Sequence, residues 1–358
     1  MRALKGFKPF NVGRIFMALI AAAALFAGSL EAETPGSGGA GGVRPDILLG
    51  LEEGAYFVPE DNTLTNEKIE LGRLLFFDKR LSRDNTISCA SCHIPAMAFT
   101  DGQPVSTGIG GQKGGRSAPT VINRAFSKVQ FWDGRAATLE DQALGPLVNP
   151  IEHGYSNHEE LVKKLNGIEG YKQQFQKVFG TNVTKEGIGK AIAAFERTVL
   201  SGNSPSDQFD VAGKENALSE SAKKGLALFR DKARCTKCHS GFNFTDEKFH
   251  NLGIGTDKKN PDLGRFEVTK KSEDKGAFKT PTLREIAHTA PYMHDGRFKN
   301  LNEVVDFYNK GGIKNANQDS LIITLELTED EKKDLVSYLN ALSGEGWQQV
   351  QIPAAFPK

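Results

Sequence analysis

The stretches CASCH, Cys89 to His93, and CTKCH, Cys235 to His239, hold all four cysteines of the 358-residue chain. A C-x-x-C-H run is the attachment signature of c-type haem: the two thiols add to the porphyrin vinyl groups and the histidine becomes the proximal iron ligand. A redox dithiol has no need of a histidine fixed at that place, and a structural zinc wants four ligands at paired spacing. Cys89, Cys92 and His93 therefore predict one covalent haem c, and Cys235, Cys238 and His239 predict a second.

The surroundings of the two motifs repeat. GRLLFFDK (Gly72 to Lys79) precedes the first and GLALFRDK (Gly225 to Lys232) the second, with Gly, Leu, Phe, Asp and Lys at matching places. Farther on, PTVINRAFSKVQFWDGRAATLED from Pro119 aligns without a gap against PTLREIAHTAPYMHDGRFKNLNE from Pro281. That register sets Leu139 on Leu301, Trp132 on His294 and Pro146 on Tyr308. The expected fold is mainly α, two cytochrome c-like haem domains related by internal duplication, over residues 47–205 and 206–345 with a tail at 346–358.

Helical signals fill the intervals. Ser156 with Glu159 reads as a capping box before Leu161, Val162 and Leu165, and Ile188, Ile192, Phe195 and Val199 share one helical face. Thr328 with Glu331 reads as a second box, followed by the stripe Leu335, Leu339, Leu342 and a stop at Gly344. No alternating run is long enough for a substantial sheet, and residues 101–119 and 253–264 are Gly- and Pro-rich loops.

The first residues carry an address. Arg2, Lys5, Lys8 and Arg14 precede an apolar run from Ile15 to Ala27 and small residues before a cut after Ala32, which reads as a signal peptide over 1–32 and a flexible leader over 33–46. The run is short for a membrane span, so the expected location is the periplasm, with no obligatory anchor after cleavage. A formal net charge of +1 points to neither nucleic acid nor an anionic membrane as a necessary partner.

With the two C-x-x-C-H sites, the segments QFWDGRAATLEDQALGPLVNPIEHG (130–154) and TAPYMHDGRFKNLNEVVDFY (289–308) carry a specific resemblance. From about Leu71 to Leu342 the chain resembles the bacterial di-haem cytochrome c peroxidase family, including its MauG-like branch. The resemblance implies that Glu152 and Gln142 line a peroxide pocket at the first haem, Glu152 moving the proton and Gln142 orienting peroxide, and that Trp132 lies between the haems as a relay or as packing. At the second haem most members place a methionine where this chain has Tyr308, and the MauG-like branch places a tyrosine there; Met293, fifteen residues earlier, is the other candidate ligand. Proline offers no donor at the matching position 146, and no histidine occurs between Ile94 and Phe131, where family members carry a loop histidine over the first iron. Met97, the one soft donor there, reads as core packing, and an open first iron is expected.

The resemblance further implies calcium between the domains, held by Ser117, which stands where the family has asparagine, and by the carbonyls of Thr289 and Pro291, with water or Asn123 completing the shell. It also implies a small cytochrome c or cupredoxin as electron donor, and often a homodimer. Three functions fit these residues: reduction of hydrogen peroxide to water, MauG-like oxidation of a protein substrate, and electron carriage without catalysis. The last leaves Glu152 and Gln142 without a purpose.

Overall fold

Glycine decides how closely the main helices pack. In the helix Asn66–Phe77, a Cβ at Gly72 would lie 1.8 Å from the carbonyl oxygen of Ala191, in the helix Lys185–Glu196. In the helix Glu220–Arg230, a Cβ at Gly225 would lie 1.9 Å from the carbonyl oxygen of Asp334, in the helix Glu329–Asn340. Each pair can touch backbone to backbone only without that side chain. The computed structural model describes residues 42–358, so the expected signal segment and most of the expected leader lie outside the described residues.

Gly42–Lys358 pack as one unit. Within it, one large apolar core gathers around Leu71, Phe76, Phe175, Ile192 and Phe195, and another around Leu226, Phe229, Val305, Leu335 and Tyr338. Residues 346–358 follow the second core in sequence but lie against the first. Trp347 is buried in it, Arg73 Nη1 donates to the Gln351 carbonyl at 2.6 Å, and the Gly170 N–H donates to the Lys358 carbonyl at 2.6 Å.

The elements are mostly helical. Thr65, Thr184, Ser219 and Thr328 each accept a hydrogen bond at a helix start, Thr328 and Glu331 forming the expected reciprocal box. The helix His158–Asn166 departs from expectation: Asn157, not Ser156, caps it by accepting from Glu160 N. An asparagine carbonyl reaches the third N–H as well as a serine hydroxyl does, so adjacent polar residues compete for the cap. Leu161, Leu165, Ile188, Ile192, Phe195, Val199, Leu335, Leu339 and Leu342 are all buried, as their periodicity requires. Among the described residues, sheet is confined to two-residue pairs, Ser201–Gly202 with Glu345–Gly346 and Phe249–His250 with Phe278–Lys279.

A buried ion pair ties the parts together. Arg284, fully buried, donates to both oxygens of Asp207 at 2.8 and 3.0 Å, and also to the carbonyls of Phe242 and Gly50. Replacing one partner strands a charge in a low dielectric, whereas replacing both removes the desolvation cost as well. Asp207→Leu should therefore destabilise the folded protein by about 3–5 kcal/mol, and the double variant with Arg284→Met by less than either single change. Denaturant unfolding of the haem-loaded variants measures this.

Candidate functional site

Each C-x-x-C-H run winds into a single tight turn. Cys89–Cys92 is one turn of helix closed by His93 N–H to the Cys89 carbonyl at 2.9 Å; Cys235–Lys237 is a 3-10 turn, and His239 N–H reaches the Cys235 carbonyl at 2.8 Å. Both imidazoles are oriented alike. His93 Nδ1 lies 3.1 Å from the Phe99 carbonyl and His239 Nδ1 lies 3.0 Å from the Phe244 carbonyl. A carbonyl can only accept, so Nδ1 carries the proton and the Nε2 lone pair is the one left for a metal.

Both motifs open on one cavity of about 810 Å³, lined by Cys92, His93, Cys235, Cys238 and His239 among others. Burial pushes the Cys92 thiol up to about 11 and Cys235 up to about 12, and Cys89 higher still. Reactive dithiols and zinc thiolates are shifted the other way. Paired half-buried thiols on each turn, imidazoles with Nε2 available and an apolar cavity reaching both turns fit two covalently attached haems.

The remaining expected site residues fall on the same wall. Gln142, in the helix Leu139–Leu144, and Glu152 both line the cavity with His93. Asn149 Nδ2 donates to Glu152 Oε1 at 2.7 Å, and burial raises the carboxyl above its ordinary range against the opposing pull of Arg135. Half-buried Trp132 donates from Nε1 to the Ser117 carbonyl at 2.9 Å, and its own carbonyl accepts from Lys279 N–H at 2.8 Å. Pro146 and Tyr308, the residues paired in register, both line the cavity, as does Met293. Burial pushes the Tyr308 phenol up. Met293 sits in left-handed backbone with φ 73°, as does its register partner Phe131 with φ 68°.

Several side chains have structural partners. Met97 is 38 % exposed rather than core: it sits in a surface turn after His93, its Cε methyl against Gly102. Asn123 is committed elsewhere, exchanging hydrogen bonds with the backbone of Ser201 and donating to Asn243 Oδ1. Ser117, Thr289 and Pro291 do line the cavity, and Ser117 N–H donates to the His294 carbonyl at 2.7 Å. Arg135 pairs with Asp133, and Arg297 with Asp295. His153 is buried with Nδ1 on the Leu81 carbonyl, and His294 stacks on Phe278 at 3.6 Å; burial lowers both to about 4, so both rings are neutral.

Nothing in the spacing singles out His250, yet it lies beside the second motif. Its Nε2 and Nδ1 face Asp246 and Asp319 at 3.0 and 2.5 Å, and contacts with the Cys238 sulfur and these carboxylates raise it to about 10. Only the fold brings residues 238, 246, 250 and 319 together.

The profile of di-haem cytochrome c peroxidases matches residues 66–216. The methylamine utilization protein MauG of Methylorubrum extorquens is 40 % identical over 291 residues, covering 80 % of this chain and 81 % of its own. The chain belongs to the di-haem cytochrome c peroxidase family. Cytochrome c551 peroxidase of Nitrosomonas europaea is 36 % identical over 315 residues, 83 % of this chain and 90 % of its own. A solved MauG-like protein associated with microbial copper homeostasis superposes with a TM-score of 0.76 at 35 % identity, covering 83 % of this chain and 96 % of that one. Family membership makes the protein an oxidoreductase of the cytochrome c peroxidase type and implies two haem c groups. The double variant Cys89→Ser/Cys92→Ser should carry one covalent haem per chain instead of two by pyridine haemochrome assay; two retained haems would refute the assignment.

Proposed function

We propose that the protein is a periplasmic peroxidase that reduces hydrogen peroxide to two waters, using two electrons from a small cytochrome c or cupredoxin and two protons. The observation that carries this reading is Glu152, a half-buried carboxyl of raised pKa on the cavity wall shared with His93. When bound, the haems supply the redox-active iron centres.

The chain's own residues supply the proton chemistry. Asn149 holds Glu152 Oε1, so the carboxylate can take the proton from one peroxide oxygen and return it to the other as the O–O bond breaks. Gln142, on the same wall, orients peroxide by hydrogen bonding. No histidine lies between Ile94 and Phe131 to cover the first site, and Pro146 gives no donor, which supports a first haem open to peroxide. Tyr308, at the matching place beside the second motif, is the proposed ligand of the second haem. Trp132 lies on the cavity both motifs share and is the proposed relay between them.

The reading includes a duplicated architecture, with peroxidatic and electron-transfer haem domains over 47–205 and 206–345. The matched contacts of Gly72 and Gly225 and the matched left-handed Phe131 and Met293 support it. Calcium at Ser117, Thr289 and Pro291 also belongs to it, supported by their place on one cavity wall. A second reading, oxidation of a protein substrate, is favoured by Tyr308 and by the 40 % identity to MauG.

Because the carboxylate form must accept the first proton, peroxide turnover should fall as pH drops through the raised pKa of Glu152, with a midpoint above that of an ordinary glutamate. Glu152→Gln should lower steady-state turnover about 10²–10⁴-fold and abolish that acid limb. Unchanged turnover with the limb intact would exclude Glu152 from the chemistry.

A further inference from the structure

Two cations on the cavity wall, Arg124 and Lys279, are weakly balanced by the protein's own carboxylates. Arg124 lies in the Pro119 segment of the first half, and Lys279 lies in the strand Phe278–Lys279 of the second; both line the cavity. Arg124 directs its guanidinium to neutral oxygens only, Nε to Gln130 Oε1 at 2.8 Å and Nη2 to the Val129 carbonyl at 2.9 Å. Among the described residues it makes no ion pair. Lys279 is 4 % exposed, and its one carboxylate partner, Glu247, is 3.4 Å away and also accepts from Ser127 and Lys128. Arg116, on the same cavity, shows the ordinary arrangement: it is paired with both Asp133 and Asp262 at 2.7 and 2.6 Å.

Glu196, the second acid acting on Arg124, does not repair the imbalance. Glu196 is 4 % exposed and also lines the cavity; burial, against the pull of Arg197 and Arg124, raises it to about 8, so it is mostly protonated at neutral pH, and its Oε2 has no hydrogen-bond partner. Burial together with Arg124 pushes Lys279 down to about 7, the behaviour of a cation short of negative neighbours. A buried cation without an anion costs several kcal/mol. An anionic group in the cavity would supply negative charge beside both side chains.

We propose that Arg124 and Lys279 bind the carboxylate side chains of a haem, forming an anchor built jointly by the two halves of the chain. Guanidinium and ammonium donors give charge-assisted hydrogen bonds to carboxylate oxygens, and a single ligand held from both halves fixes the porphyrin across the seam. The proposal rests on haem occupancy and not on peroxide chemistry, so it can fail while the peroxidase reading stands.

Spectroelectrochemical titration of the haem-loaded protein tests it. Ferric haem carries one more positive charge than ferrous, so a cation nearby raises the reduction potential, and its removal lowers it. Arg124→Gln and Lys279→Met, each with its haem count checked by pyridine haemochrome, should lower the midpoint potential of at least one haem or lose that haem. Arg124→Lys and Lys279→Arg should keep two haems at potentials close to those of the parent. Neutral variants that hold two haems at unshifted potentials would overturn the proposal. So would charge-conserving variants that shift or lose haem as far as the neutral ones.

Discussion

Two imidazole rings are pinned from behind by backbone. His93 and His239 each give the Nδ1 proton to a carbonyl six and five residues along the chain, and each thereby presents Nε2. The bond fixes tautomer and ring orientation together, which a metal ligand needs before any metal arrives. Everything else in the site follows from where those two rings point. The cysteines stand on the same turns, the cavity runs from one turn to the other, and the catalytic candidates come from segments that border it.

Holding such a cavity open takes rigid walls. The Gly72 and Gly225 contacts lock two helix pairs at backbone distance, and each pair backs one of the two large cores. The walls are fastened to one another by Arg284, which pairs with Asp207 and donates to the Gly50 carbonyl, by the Ser117 N–H on the His294 carbonyl and by the Lys279 N–H on the Trp132 carbonyl. The last two fastenings use backbone atoms of residues whose side chains line the cavity, so the frame and the site are one structure. The C-terminal residues add a further tie by burying Trp347 in the first core.

Much of this was legible in the chain. Covalent haem attachment is written in five contiguous residues, and helix faces such as Ile188, Ile192 and Phe195 follow from period alone. Glu152 and Gln142 are proposals that rest on a family motif; what is shown is that the chain belongs to that family. What escaped was long-range or competitive. His250 meets Asp319 across 69 positions of sequence, a pairing no local pattern encodes. Asn157 outcompeted Ser156 at a cap where both could serve, and Met97, apolar but on a short turn, is exposed. The unbalanced Arg124 is the same kind of case: its lack of a carboxylate is a property of packing, invisible in composition.

The account turns on difference between two similar sites. In the proposed function, one open iron takes substrate and one closed iron takes electrons, which divides the work. Pro146 and Tyr308, set in one register and both on the cavity, are the residues proposed to make that difference. Electron paramagnetic resonance of the ferric, haem-loaded protein tests it most directly. The account expects one high-spin iron with a single histidine ligand and one iron bound by histidine and oxygen, the second signal changing in Tyr308→Met. Two low-spin irons, each with nitrogen or sulfur on both axial positions and unaltered by Tyr308→Met, would contradict it.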